Sequence, residues 1–176
     1  QSDSEGIAEG LLTGAFDVGL IGARLHEEAL ELTPFYEDRM VLITPVNDRF
    51  RCLAQRGVTI EDICREPILL REKGSGSKKC ISGYFQQMGV EESALTVTAR
   101  LNDQESIKNL VAGGLGVSII SEKAAEDARN AGRLLTFQLP GSGARRRLYA
   151  ACRRGTPVNR QTRQFMDFVI GFYRQT

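Results

Sequence analysis

The segment LTVTARLNDQESIKNLVAGGLGVSIIS, residues 95–121, decides the fold class because it reads as a strand, a helix and a second strand in succession. Leu95–Leu101 alternates between apolar and polar residues, which is typical of a strand with one buried face. Apolar residues from Ile107 to Val111 then recur at helical spacing, and a pair of glycines ends that helix. Val117–Ile120 is a short apolar run, which predicts a buried strand. This unit therefore predicts an α/β fold.

The same alternation of strands and helices extends outward along nearly the whole chain and predicts a mainly parallel sheet. Further strands are predicted at Phe16–Gly22, Met40–Thr44, Ile68–Arg71, Leu134–Leu139 and Arg147–Cys152. Thr156 and Pro157 are predicted to open a final helix, with the proline at a favoured early position. Its predicted core stripe consists of Val158, Phe165, Met166, Val169, Ile170 and Tyr173.

Composition is that of a globular protein, but its charge is unevenly distributed. The 176 residues are 41% hydrophobic and carry a net charge of +1, so the chain as a whole has no strong attraction for nucleic acid. Residues 1–44 contain nine acids and two arginines, whereas residues 145–176 contain eight arginines and one acid. An arginine-rich tail can indicate nucleic-acid binding. We favour the alternative that the basic end packs beside the acidic beginning in one lobe.

Several classes of function are disfavoured by what the sequence lacks. No apolar run approaches the ~20 residues that span a bilayer, so no membrane partner is expected. The four cysteines form no C-x-x-C pair and His26 is the single histidine, so we expect no metal and reduced thiols in a cytoplasmic protein. His26 lies in an acidic loop and is predicted to be a surface residue. Because no catalytic constellation is present, we expect no catalytic residues and no enzyme activity.

A ligand-binding loop is predicted where the strand at Ile68–Arg71 meets the following helix. The loop contains Ser75, Gly76 and Ser77, whose hydroxyls can donate hydrogen bonds while the glycine lets backbone amides approach a ligand. The helix start adds partial positive charge, which suits an anion or a carboxylate. The alternative is that Ser77 is only a helix N-cap.

Two other strand ends are weaker candidates for ligand contacts. They are Asn102, Asp103 and Gln104 after one strand, and Gly22, Ala23 and Arg24 after another. The alternative for the first set is plain helix capping. The alternative for Arg24 is a solvated surface charge.

Five segments together resemble the effector-binding domain of LysR-type transcriptional regulators. GLLTGAFDVGLIG (Gly10–Gly22) and FYEDRMVLITPVNDRF (Phe35–Phe50) are similar to the family's early strands. EPILLREKGSGSKKCI (Glu66–Ile81) resembles its ligand-loop segment, and ESIKNLVAGGLGVSIIS (Glu105–Ser121) its helix, turn and strand. The closing strand and the helix at Arg163–Phe172 also fit, so the resemblance covers nearly the whole chain in the right order.

The resemblance implies a fold like that of type II periplasmic binding proteins, with two Rossmann-like lobes joined by two crossover strands. Residues 1–44 and 146–176 would form lobe I, which would be incomplete at its N-terminal side, and residues 45–145 would form lobe II. The crossings are expected near Ile43–Pro45 and near Gly143–Arg147. The ligand is expected in the cleft between the lobes.

The resemblance also implies the partners. We expect a small-molecule effector, no cofactor, and a homo-oligomer, either dimer or tetramer, in the full-length protein. DNA would be bound only through an N-terminal helix-turn-helix that this sequence does not contain, so we interpret the chain as a fragment. The alternative is a transport-type solute-binding protein of the same fold.

Overall fold

The computed structural model describes residues 2–174; Gln1, Gln175 and Thr176, which fall within the predicted lobe I, lie outside the described residues. Helices and strands alternate along the chain. The helices are α1 (Ser4–Thr13), α2 (Asp48–Arg56), α3 (Ile60–Cys64), α4 (Gly76–Gln87), α5 (Gln104–Ala112), α6 (Glu122–Asn130) and α7 (Arg160–Arg174), with a 3-10 turn at Glu92–Ala94. The strands are β1 (Gly19–Ile21), β2 (Leu30–Thr44), β3 (Ile68–Arg71), β4 (Val97–Leu101), β5 (Val117–Ser121), β6 (Leu135–Gln138) and β7 (Ala144–Arg153).

The chain divides into two compact units. Unit 1 consists of Gln1–Glu37, Gly74–Gly76 and Arg146–Thr176, and unit 2 consists of Asp38–Lys73 and Ser77–Arg145. Strands β2 and β7 each contribute residues to both units. On β7 the change of unit lies within the predicted crossing, and on β2 it lies before the predicted one. The functional assignment of two lobes to residues 1–44 with 146–176 and to 45–145 stays a prediction.

The sheet of unit 2 is mixed rather than mainly parallel. β3 runs parallel to both β4 and β5, as the strand–helix–strand pattern predicts. β2 pairs antiparallel with β5 on one side and with β6 on the other. The expectation of a mainly parallel sheet is therefore wrong for β2, which runs antiparallel to both of these neighbours.

Alternating residues of the unit 2 strands face two separate cores. Leu70 of β3 packs with Ile81 and Phe85 of α4 on one face, whereas Leu69 packs with Ile107 of α5 on the other. β3 therefore leads into a helix on one face and β4 into a helix on the opposite face. In α/β sheets, such divergence at the carboxyl ends of neighbouring strands opens a crevice suited to ligands.

Unit 1 builds its core from α1 and the antiparallel pair of β1 and β7. Gly19–Ile21 pairs with Tyr149–Ala151. Ala8 and Leu11 of α1, both fully buried, pack on the side of this pair that carries Ile21. Asp3 caps α1 by accepting a hydrogen bond from the backbone N–H of Gly6 at 2.8 Å.

Helix α7 packs against another part of unit 1, but its predicted core stripe is wrong at two positions. Val169 is buried with Phe35 and Ala150, and Met166 and two other residues of the predicted stripe pack partly against that cluster. Val158 precedes the first residue of the helix, and Phe165 is 44% exposed. It shares an exposed face with other aromatic residues, because positions three and four apart lie on one side of a helix.

The first half of β2 was not predicted from the sequence. Leu30–Arg39 contains Pro34 and several charged residues, which disfavour a strand assignment. The pairings of β2 with β5 and β6 involve only Met40–Thr44, so among the described strands the part of β2 around Pro34 has no partner other than β7 in the strand order. A proline is tolerated there, because one side of the strand needs no ladder hydrogen bonds. Within the described residues, none of the helices is both long enough and apolar enough to cross a membrane.

Candidate functional site

The predicted ligand loop lies at the start of α4. This helix begins at Gly76, so Ser75 directly precedes its first residue and Ser77 is its second residue. The alternative that Ser77 is the helix N-cap is therefore wrong. Ser75 and Ser77 are 5% and 2% exposed, so both hydroxyl-bearing side chains lie in the protein interior.

Gly76 and Gly22 lie in direct backbone contact within unit 1. A methyl group placed on Gly76 would sit only 2.6 Å from the carbonyl carbon and oxygen of Gly22. Real contacts of this kind are ordinarily at least 3.4 Å, so only glycine fits at position 76 without a shift of the backbone. The structure therefore brings together two of the three segments predicted as ligand contacts.

Helix α1 begins at the same place, and Ser4 was not among the predicted site residues. Ser4, the first residue of α1, accepts a hydrogen bond through its Oγ from the backbone N–H of Gly22 at 3.1 Å. A methyl group on Gly74 would collide with the carboxylate of Asp3, so the loop also lies against the α1 cap. We refer to Ser4, Gly22, Gly74 and Gly76 as the Gly22 junction.

Two helix N-termini give the Gly22 junction its electrostatic character. α1 begins at Ser4 and α4 begins at Gly76, and the N-terminus of each helix carries partial positive charge and backbone N–H groups without partners inside the helix. Asp3 compensates the α1 terminus through its capping carboxylate. The arrangement of backbone dipoles favours small anions over cations.

Arg146 of β7 lies against the Gly22 junction and was not among the predicted site residues. A methyl group on Gly22 would sit 2.7 Å from Nη1 and 3.4 Å from Cζ of Arg146, so the guanidinium occupies the space beside the glycine. Arg146 is half-buried, whereas Arg145 and Arg147 on either side of it are exposed. The alternation along a strand explains why one of three consecutive arginines turns inward.

The remaining residues of the first segment lie near the surface of unit 1. Ala23 is half-buried. The guanidinium of Arg24 forms an ion pair with Glu27, and its side chain is 64% exposed. This geometry supports the surface-charge alternative for Arg24. His26 is exposed, as predicted.

Asp103 in unit 2 caps α5. Its carboxylate accepts a hydrogen bond from the backbone N–H of Ser106 at 2.7 Å. This hydrogen bond is the main cause that lowers the pKa of Asp103, and the charge of Arg71 adds to it. Asn102 is exposed and Gln104 is the first residue of α5. The structure thus supports the capping alternative for Asp103.

The two lysines that follow the ligand loop differ in their surroundings. Lys78 forms an ion pair with Glu92 and also donates a hydrogen bond to Ser82 Oγ at 2.6 Å. The ammonium of Lys78 is the main cause that lowers the pKa of Glu92. Lys79 is exposed. The charge of Lys78 is therefore compensated within unit 2.

Metal-ligating and thiol groups do not cluster in the described part of the chain. Across residues 2–174 no group of three or more His, Cys, Asp or Glu side chains is placed to hold a metal ion. The four cysteines are free thiols, and burial is the main cause that raises the pKa of Cys64 and Cys152.

Comparison with known proteins identifies the family. The model of the LysR substrate binding domain matches residues 1–173, so the chain belongs to the family of LysR substrate-binding domains. An uncharacterized HTH-type transcriptional regulator of Methanocaldococcus jannaschii, MJ0300, is 31% identical over 96% of this chain and 56% of its own length. The chain spans about a third to somewhat more than half of the curated relatives it matches.

Solved structures share the fold. The effector-binding domain of QuiR in complex with shikimate has a TM-score of 0.85 at 16% identity, over 99% of this chain and 80% of that one. The regulatory domain of CcmR from Synechocystis PCC6803 in complex with 2-PG has a TM-score of 0.84 at 24% identity, over 99% and 81%. The chain therefore has the α/β fold of LysR effector-binding domains, which is of the type II periplasmic-binding-protein kind. MJ0300 and several other relatives are named as transcriptional regulators, whereas a relative in Anaeromyxobacter dehalogenans that is 29% identical is named as the phosphonates import ATP-binding protein PhnC.

Proposed function

We propose that this chain is the effector-binding part of a LysR-type transcriptional regulator and that it binds a small anionic metabolite at the Gly22 junction. The observation that carries the proposal is the convergence of two helix N-termini on the backbone of Gly22. Backbone N–H groups at helix starts bind carboxylates and phosphates without requiring a basic side chain. The buried Ser75 hydroxyl next to Gly76 adds a donor at the same helix start.

The ligands of two structural neighbours support the chemical class. One is bound to shikimate, a hydroxylated carboxylate, and another to 2-PG. Shikimate carries a carboxylate that helix N-termini favour and hydroxyl groups that serine side chains can meet. We infer that the effector of this chain is a small organic acid of comparable size.

Regulation would follow from differential affinity. An effector that binds one conformation better than another shifts the population toward it, and typical coupling between sites is worth ~1–3 kcal/mol. In the longer regulator, a separate helix-turn-helix would bind DNA in the cytoplasm, and two or four copies would assemble. The role of this chain would be to bind the effector without transforming it.

The serine pair at the start of α4 provides the experimental test. We expect the double substitution Ser75→Ala and Ser77→Ala to weaken binding of the acid that the wild-type chain binds, because each change removes a buried donor. The exposed pair Ser93→Ala and Ser142→Ala is the matched control, since it also removes two hydroxyls. A thermal-shift screen of organic acids would find the ligand, and titration calorimetry would measure its affinity.

Unchanged affinity in the Ser75 and Ser77 variant would contradict the assignment of this loop. An equal loss of affinity in the control variant would contradict it as well, because the exposed hydroxyls of Ser93 and Ser142 are not part of the proposed site. A circular-dichroism melt of each variant would separate loss of binding from loss of folding.

A further inference from the structure

We infer that Arg146 is the residue that makes the Gly22 junction selective for anions, and this inference rests on the proposed function. The observation is that Arg146 Nη1 lies only 2.7 Å from the position that a methyl group on Gly22 would occupy. The guanidinium therefore reaches the same glycine whose N–H bonds to Ser4 and whose carbonyl faces Gly76. All of these residues belong to unit 1.

The register of the β1 and β7 pair explains how Arg146 reaches this position. Ile21 pairs with Tyr149, so the next residue of β1, Gly22, comes opposite Leu148. The Cδ2 atom of Leu148 lies 3.4 Å from a methyl group on Gly22, in agreement with that register. Arg146 comes two residues before Leu148 on β7, so both side chains lie on the same face of the strand. The long side chain of Arg146 reaches the space beside Gly22.

Glycine at position 22 is what leaves room for the guanidinium. Its φ is outside the left-handed region, so the backbone conformation alone does not require glycine there. The nearest atom that a larger side chain would meet is the tip of Arg146. Position 22 and position 146 therefore act as a pair, in which the small residue sets the place of the charged one.

The chemistry of a guanidinium defines what it would select. Arginine stays charged at any physiological pH and presents parallel N–H donors that match a carboxylate or a phosphate. Helix N-termini also accept neutral hydrogen-bond acceptors, so by themselves they discriminate weakly between an acid and its amide. A half-buried cation beside them discriminates strongly, because its interaction with an anion is less screened than one on the open surface.

Neighbouring charges are consistent with this role for Arg146. Asp3 caps α1 near Gly74 and would repel an anion that approached from that side. We therefore expect the acidic group of the ligand to lie on the Arg146 side of Gly22.

The test compares Arg146→Ala with Arg147→Ala, which removes the same charge from the exposed neighbouring position. The probes are oxalate, malonate, inorganic phosphate and a panel of hydroxylated monocarboxylates, together with the amides of the carboxylates. We expect the wild-type chain to bind at least one acid more tightly than its amide. Arg146→Ala is expected to lose about 10- to 100-fold in affinity for that acid, the value of one charge-assisted hydrogen bond.

Three further results are expected from the same titrations. Arg147→Ala keeps the wild-type affinity, and Arg146→Lys recovers part of the loss because it restores the charge without the planar fork. Gly22→Ala weakens acid binding while the melting temperature changes little, since the methyl group displaces only the end of a flexible side chain. The salt dependence of acid binding is shallower in Arg146→Ala than in the wild type.

The outcomes separate the two claims. A wild-type chain that binds no acid of the panel overturns the proposed function and the role of Arg146 with it. A wild-type chain that binds an acid, with Arg146→Ala binding it equally well, overturns only the role of Arg146. Equal losses in Arg146→Ala and Arg147→Ala would show a general effect of net charge and would also overturn it.

Discussion

Alanine at Gly76 should destabilise the protein, whereas alanine at Gly83 in the same helix should stabilise it. Both glycines lie in α4, so helix propensity favours alanine at each position. A methyl group on Gly76 would sit 2.6 Å from the backbone of Gly22, but one on Gly83 would meet nothing within 4 Å. The two substitutions therefore differ in local packing and not in chemistry.

The magnitudes follow from these distances. Ordinary contact begins at 3.4 Å, so Gly76→Ala must displace the backbone of the Gly22 junction by most of an ångström. Overpacking of this kind costs about 1–3 kcal/mol, and the smaller unfolded-state entropy of alanine offsets about 0.4–1 kcal/mol. We expect a net loss of about 1–2 kcal/mol. Gly83→Ala should gain about 0.5–1 kcal/mol.

Urea denaturation followed by circular dichroism measures both variants, and ligand titration adds a second readout. Gly76→Ala should lower the denaturation midpoint and weaken acid binding, because the same backbone shift moves the start of α4. Gly83→Ala should raise the midpoint and leave binding unchanged. Equal midpoints for the two variants would refute the close contact between Gly76 and Gly22 on which the site depends.

Two further predictions concern parts of the molecule outside the site. Val169→Ala should lower the free energy of unfolding by about 1–3 kcal/mol, because Val169 is buried. Phe165→Ala should lower it by less than about 1 kcal/mol, because Phe165 is largely exposed. Urea denaturation measures both values, and the reverse order would show that the buried face of α7 is misassigned. Asp62→Asn should cost about 1 kcal/mol at pH 7, since Asp62 completes the capping box of α3 and its pKa is lowered chiefly by Arg56. A carboxylate whose pKa is lower in the folded state stabilises the protein at pH above its unfolded pKa of about 4 and loses that contribution as the pH falls through the folded pKa. The gap between wild type and Asp62→Asn should therefore shrink below pH 4, and a gap that is constant from pH 7 to pH 2 would contradict the assignment.

The sequence predicts local units well because their signals are local. The strand, helix and strand of residues 95–121 are confirmed as β4, α5 and β5, since apolar spacing and the glycine pair mark the elements within a few residues. The loop at Ser75 is likewise confirmed as the start of a helix. β2 was predicted only in part, because Pro34 and the charged residues around it disfavour a strand assignment. A strand that lacks a partner on one side can contain such residues.

The composition of the site depends on register, which the sequence does not reveal. Ser4 and Arg146 come from opposite ends of the chain and meet Gly22 only because α1 packs on β1 and β7 pairs with it antiparallel. The sequence does not indicate which of the three consecutive arginines points inward, because strand pairing decides which residues of β7 face the interior. Phe165 was mistaken for a core residue of α7, because its apolar character alone does not show that it lies on the exposed face of the helix.

The central claim is that the 176-residue chain binds a small organic acid. Titration calorimetry of the wild-type protein with acids selected in a thermal-shift screen, each paired with its uncharged amide, measures this directly. We predict saturable binding of one acid per chain, with affinity that decreases as salt is added and with little or no binding of the amide. Tighter binding of the amide than of the acid, or the absence of binding by every acid, would contradict the account.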